Sequence, residues 1–291
     1  MEWYLHEGHL IDEDAWRVRI QTLRASVATG DMAGVIDTAV QRRIPDGQVA
    51  VLFSGGVDST LIARLLEAHH ADLTCYTVGF HDEGQKEPDD VQWAKRVAQH
   101  FRWRHKTIML DFVDAERIIR RCVDILGTDD VVNIGVGTVE VAAYAAIMDD
   151  GIRDVFGGIG SEEIFAGYKR HRDAQDPHEE CWRGLLAMRT RDLVRESAIA
   201  RAFSMQVHTP LLDEDVIRCA MAIPIEKKLD SQTSKIILRD IAQRAGISIE
   251  FAQRPKQAAQ YGSRIDRAIG KLAKRAGCAR KDEYLRSLRS R

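Results

Sequence analysis

From Val49 onward the apolar positions fall in short unbroken runs, each followed by a longer stretch in which they recur every three or four residues. Residues 49–53 (VAVLF), 73–79 (LTCYTVG), 105–109 (HKTIM) and 153–157 (RDVFG) read as buried strands. The stretches 59–69, 88–101, 111–126 and 138–149 between them read as helices. Upstream, 31–43 forms an amphipathic helix with Met32, Val35, Ile36 and Ala39 on one face, stopped by Pro45-Asp46-Gly47. Strands separated by helices of this length predict an α/β fold, a parallel sheet covered on both faces. Past Tyr168 the pattern becomes helical, at 176–192, 193–203, 213–221 and 233–245, with few strand candidates. Three regions follow: a polar, partly helical lead-in over 1–45, an α/β region over 46–170, and a mostly helical region over 171–291 that completes the site.

Composition narrows the functional classes. The 291 residues are 45% hydrophobic, enough for a large core. A formal charge of −2 provides no basic field for nucleic acid, so any such contact would be local. The five cysteines lie far apart with no CxxC pair, which predicts reduced, mostly buried thiols and a cytoplasmic protein. The opening MEWYLHEGHLIDED is too acidic and polar for a signal peptide, and no apolar run approaches membrane-spanning length.

The chemistry concentrates at Ser54-Gly55-Gly56-Val57-Asp58-Ser59, where the first strand turns into a helix. Gly55 and Gly56 are expected to take positive φ and let the backbone approach a ligand, while the helix's first amides and dipole favour an anion. Polyphosphate suits such a cradle. Ser54 and Ser59 add hydroxyls, and Asp58 a hard oxygen for a phosphate-bound magnesium ion. No Gly-Lys-Ser/Thr closes the run and no third glycine follows at the dinucleotide-binding offset. Parallel sheets bind ligands at the carboxyl ends of their strands, which brings in two further segments. Thr77-Val78-Gly79 could face an adenine, although a strand merely ending on a glycine accounts for it equally well. Gly157-Gly158-Ile159-Gly160-Ser161-Glu162-Glu163 is glycine-rich beyond the needs of a connection.

The SGGVDS loop resembles that of the PP-loop ATP pyrophosphatases, the adenine nucleotide alpha hydrolase-like enzymes that split ATP between its α and β phosphates. With GGIGSEEIFAGY at 157–168, TPLLDEDVI at 209–217, Ser234-Lys235 to Arg239 and RPKQAAQYGS at 254–263, the chain from about Asp31 to Ile269 resembles the synthetase domain of the asparagine synthetase family, which includes beta-lactam synthetases. The resemblance implies a five-stranded parallel sheet and ATP and Mg2+ as cofactors. It implies that Ser54, Gly55, Gly56, Val57, Asp58 and Ser59 hold pyrophosphate, with Val78, Gly79, Gly157, Gly158 and Gly160 completing the nucleotide site. Asp58 and Glu162 would bind magnesium; Lys256 and Lys235 would be catalytic, Lys256 against the α phosphate. Read without the resemblance, Lys256 is a solvated surface lysine and Glu163 complements a helix dipole.

Two departures from the family pattern alter the expectation. Ile159 stands where asparagine-forming members carry a glutamate beside the acyl-adenylate, so proton handling would fall to Glu163 or Tyr168, to a nucleophile needing less help, or the substrate differs. The roughly 45 residues before the first strand cannot hold a glutaminase domain, so nitrogen would come from ammonia, another amine or a separate glutaminase. The leading expectation is an AMP-forming amide ligase acting on small-molecule carboxylate and amine substrates, with a homo-oligomer left open. Two alternatives stand beside it. An RNA-modifying PP-loop enzyme is suggested by the tail 270–291, whose eight Lys or Arg oppose only Asp282 and Glu283. A nucleotide-binding protein that has lost catalysis is suggested by Ile159.

Overall fold

A computed structural model describes residues 2–6 and 9–289. Its centre is a sheet of five parallel strands in the order β5-β4-β3-β6-β7: β3 (Gln48–Leu52), β4 (Asp72–Phe80), β5 (Arg104–Leu110), β6 (Asp154–Phe156) and β7 (Gln206–His208). The three inner strands carry the buried runs, Cys75 to Phe80 of β4, Val49-Ala50-Val51 of β3 and Val155-Phe156 of β6, because helices cover both faces. Chain order departs from β3 in both directions, through β4 to β5 on one side and β6 to β7 on the other. The sheet therefore has a topological switch point between β3 and β6, and a crevice opens beyond their carboxyl ends.

The predicted helices appear with shifted bounds. On one face α2 (Met32–Gln41), α3 (Val57–Ala68) and α4 (Asp89–Phe101) pack with α10 (Glu214–Ala222) and α11 (Ile236–Arg244). On the other, α5 (Phe112–Leu126) and α6 (Val131–Asp149) pack with α14 (Ile265–Arg275) and α15 (Lys281–Arg289). The expected helices at 176–192 and 193–203 form one 26-residue helix, α9 (Pro177–Ala202), started by Asp176, whose carboxylate caps the Glu179 amide at 3.0 Å. The short helices α7 (Ser161–Ile164), α8 (Lys169–Asp173), α12 (Ile249–Ala252) and α13 (Ala259–Gly262) lie in the segments that border the crevice.

Four strands were read from the pattern, and the fifth, β7, comes from the half read as helical. Its three residues QVH are too few for a periodic signal. The lead-in also holds more structure than its polarity suggests. Strands β1 (Leu5–His6) and β2 (His9–Leu10) pair antiparallel, and α1 (Glu13–Ala25) buries Trp16, Ile20 and Leu23. Helix α6 corrects the reading that no apolar run approaches membrane length: it has 19 residues and a mean hydropathy of 1.6. It lies in the protein core against α5, α9 and β4, which explains its apolar composition without a membrane.

All five cysteines are free, four of them buried, as their scatter predicted. The basic tail, described as far as Arg289, runs from the end of α14 into the packed helix α15. Tyr284, Leu285 and Leu288 are buried, while Lys281 pairs with Asp266 at 2.6 Å and Arg286 with Asp129 at 2.9 Å.

Candidate active site

The loop after β3 turns at Gly55 with φ +74°, as expected, whereas Gly56 is extended at φ −75° and serves as the N-cap of α3. Gly55 is also needed for closeness, since a Cβ there would stand 2.9 Å from the backbone of Trp93 and Ala94 in α4. Gly56 offers the first amides of α3 no side-chain acceptor, which leaves them for an anion. Val57 turns its side chain into the core, so only its backbone belongs to this rim.

The second rim is the loop after β6. Gly158 faces Asp58, and a Cβ on it would lie 2.9 Å from the Asp58 Cβ. Gly160 adopts φ +91° against Leu212, so the segment 209–217 supports this rim from behind. Ser161 Oγ then donates to Asp58 Oδ1 at 2.6 Å, which ties the two rims together.

Across this joint lies Lys235, whose ammonium stands 2.7 Å from both Asp58 Oδ2 and Glu162 Oε1. It is 2% exposed and precedes α11 in the left-handed region at φ +58°. Lys256, on the irregular segment between α12 and α13, reaches the same Glu162 Oε1. Burial pushes the Glu162 carboxyl up, but the two ammonium groups outweigh it and hold the group down at about 2. Lys256 is the more exposed partner, its side chain 38% accessible, so water screens its share and Lys235 is the stronger anchor. Gly167 makes room for the pair: a Cβ there would overlap Glu162 Oε2 and Lys235 Cε.

The crevice holds two adjoining hollows that share Leu52, Ser54, Val136, Glu140 and Ala259. One, of about 180 Å3, has an apolar lining that includes Phe53, Tyr76, Val78 and Val139. The other, of about 280 Å3, is lined by Ser54, Asp58, Ser59, Gly157, Gly158, Ile159, Gly160, Glu162 and Lys256 on one side and by acidic helix residues on the other. Most expected site residues thus converge. Gly79 does not: it lines neither hollow and sits where a Cβ would meet Val91, Pro88 and Met109, so its role here is packing.

Glu163 and Tyr168 line the larger hollow with Ile159. Glu163 bonds Arg191 at 3.0 Å and lies 3.5 Å from Arg170, yet burial, with Asp192 and Glu162 nearby, raises its carboxyl to about 7. Burial likewise raises the Tyr168 hydroxyl far from physiological pH.

Several residues at the site had no role assigned from the sequence, although Arg239 and Arg254 lie inside the matched segments. Arg254 donates to the Ser54 carbonyl and to buried Asp90, clamping the glycine loop from the far half of the chain. Arg239 fixes the Lys256 segment by donating to the Ala252 carbonyl at 2.5 Å and that of Arg254 at 3.2 Å. Glu140, Arg195 and Glu196 wall the larger hollow from α6 and α9. Glu140 had a legible signal, being the single charge in the apolar stretch 131–148.

The donor set fits a magnesium ion that arrives with a nucleotide. Asp58 and Glu162 adjoin, Glu162 Oε2 is buried without a partner, and phosphate oxygens and water would complete the shell. No cluster of three or more acidic, His or Cys ligands occurs among the described residues.

Comparison with known proteins adds the following. The sequence model of the asparagine synthase family matches residues 31–179 and 172–288. A putative asparagine synthetase [glutamine-hydrolyzing] 1 of Methanocaldococcus jannaschii is 28% identical over 282 residues, covering 83% of this chain and 51% of that protein. The asparagine synthetase [glutamine-hydrolyzing] of Brassica oleracea is 29% identical over 220 residues, 70% of this chain and 37% of its own length. The chain thus spans about half or less of these relatives. Among solved structures, a U34-tRNA thiolase of Methanococcus maripaludis superposes with a TM-score of 0.37 at 13% identity, covering 99% of this chain and 82% of that one.

Proposed function

Because the chain belongs to the asparagine synthase family, we propose that it is an ATP-dependent, AMP- and pyrophosphate-forming amide ligase. It would adenylate a carboxylate, aspartate or a related acid, and pass the acyl group to ammonia or another amine, from solution or from a separate glutaminase. The observation that carries this reading is the junction of Asp58, Glu162, Lys235 and Lys256 beside the uncapped end of α3.

In this reading the apolar hollow by Val78 receives the adenine, and the glycine loop and α3 amides receive the β and γ phosphates. Magnesium held by Asp58 and Glu162 would neutralise phosphate charge. Lys235 fixes the spacing of the two carboxylates. Lys256, on its irregular segment, exchanges Glu162 for the α phosphate and stabilises the charge that gathers there as the carboxylate attacks. The carboxylate oxygen bonds to phosphorus while the bond to pyrophosphate breaks; the amine then adds to the acyl carbon and AMP departs. Ile159 accepts no proton, and Glu163, held near neutrality in the same hollow, is the carboxylate placed to take the amine's.

The test is ATP–pyrophosphate exchange with magnesium and single carboxylates, aspartate first. We expect exchange with at least one acid and a drop of at least about a hundredfold in Lys256→Ala, the loss typical of one transition-state charge contact. ATP binding with no exchange for any acid would instead mean a nucleotide-binding protein without catalysis. Arg280, Lys281 and Arg286 of the tail pair with Asp282, Asp266 and Asp129, so the ligase reading is placed ahead of the RNA-modifying one.

A further inference from the structure

One wall of the larger hollow has no task in the reaction just proposed. Glu140 from α6 and Glu196 from α9 line it, 9% and 6% exposed. Arg195 lies beside them and is already committed: its Nε is 3.2 Å from Glu140 Oε1, and its Nη1 lies 3.3 Å from Asn133 Oδ1 and 3.5 Å from Asp192 Oδ1. Arg191 is taken by Glu163 and Asp192. The Glu196 side chain has no hydrogen bond or ion pair among the described residues, and the Oε2 atoms of Glu140 and Glu196 are both buried without a partner. Buried acceptors left this way are costly and uncommon, and two in one ligand-sized hollow imply a donor from outside the chain.

We propose that this wall is a subsite for a protonated primary amine carried by a small-molecule substrate, with Glu196 and the free oxygen of Glu140 as its acceptors. An alkylammonium offers three N–H donors and a full charge, which answers both orphan oxygens and can take the place of a proton held between them. Lys256 lines the phosphate end of the hollow and the partnerless carboxylate oxygens line the opposite wall, so an amine-bearing substrate enters with its amine toward Glu140 and Glu196. A longer chain on the amine also has room. Glu196 is shared with a second cavity of about 250 Å3 beneath β1 and β2, lined by Tyr4, Leu5 and His9.

Proton linkage gives the subsite a signature. Burial, then Glu140, push the Glu196 carboxyl up to about 8 against the pull of Arg195. The other groups facing it are Asp192 on its own helix, Glu2 at the N-terminus and the hydroxyls of Tyr4 and Tyr144. At pH 7 the empty site therefore holds a proton that a bound cation would expel.

The experiment is calorimetric titration of the full chain with n-butylammonium at pH 7 in two buffers of different ionisation enthalpy, with n-butanol as the neutral control. Butylammonium should bind at least tenfold more tightly than butanol, with an apparent enthalpy that differs between buffers. Glu196→Gln should weaken it at least tenfold and remove the buffer dependence, and Glu140→Gln should weaken it less. Thermal melting of both variants checks that they fold. Equal binding of amine and alcohol, no binding of the amine, or undiminished binding in Glu196→Gln would each overturn the subsite. Placing this amine next to an acyl-adenylate rests on the ligase reading, but the titration does not: failed exchange would remove the reaction, and failed titration the subsite.

Discussion

Lys235 shows how one side chain can set both chemistry and stability. A non-glycine residue in the left-handed region costs on the order of 1–3 kcal/mol, and here it aims an ammonium between two carboxylates from different strand ends. Lys235→Met should lower stability at pH 7 by about 3–5 kcal/mol, because two carboxylates lose their buried partner and the more exposed Lys256 remains. The pH dependence follows from Glu162. Its folded value, about 2, lies below the ordinary 4.5, so the stability it contributes is fully present above about 4.5 and is lost as pH falls toward 2. The gap in melting temperature between wild type and Lys235→Met should narrow between pH 5 and pH 3. A gap that stays constant over that range would mean that Lys235 acts through packing.

Among the elements, the N-terminal segment is the one whose polar sequence conceals its role. Glu2 is buried, and burial alone would raise its carboxyl, yet Arg43, at 2.7 and 2.9 Å, lowers it. Arg43 also reaches Asp213 at 2.7 Å, and Glu2 caps the Thr209 amide at 2.9 Å. Trp3 stacks on Trp16 at 5.0 Å and donates to the Leu212 carbonyl at 2.7 Å. These contacts fasten the segment to the stretch whose Leu212 packs on Gly160, and through it to the rim of the hollow. Arg43→Met should therefore cost about 3–5 kcal/mol in a denaturant melt and expose residues 2–6 to proteolysis. Arg42→Met, which removes a half-exposed partner of Asp213 and spares Glu2, should cost within about 1 kcal/mol.

At the scale of the molecule, the regions 46–170 and 171–291 share one sheet and one site. Strand β7 pairs with β6, α9 and α14 cover a face of the sheet with α6, and Arg254 grips the Ser54 carbonyl. The full chain should then unfold in a single transition, as few contacts could be lost without the rest. A fragment of residues 46–170 should fail to fold, since it leaves the apolar faces of α6 and the edge of β6 bare. Circular dichroism and gel filtration of the fragment would decide this; a monomer with a cooperative melt would show instead that the α/β layer stands alone.

The sequence by itself determined the α/β class, the positions of strands β3, β4, β5 and β6 along the chain and the two glycine-rich rims. These are local matters: buried runs, helical periods and turns that need glycine act within a few residues of one another. It also held the identities of Asp58, Glu162, Lys235 and Lys256, although only as points on a line. The tertiary structure decided what periodicity cannot carry: that a three-residue stretch would become the fifth strand, that Gly79 would pack against α4, and that Lys235 would join two carboxylates lying 177 and 73 residues away. It decided as well that Glu140 and Glu196 share a wall, because the meeting of two helix faces depends on how α6 and α9 cross.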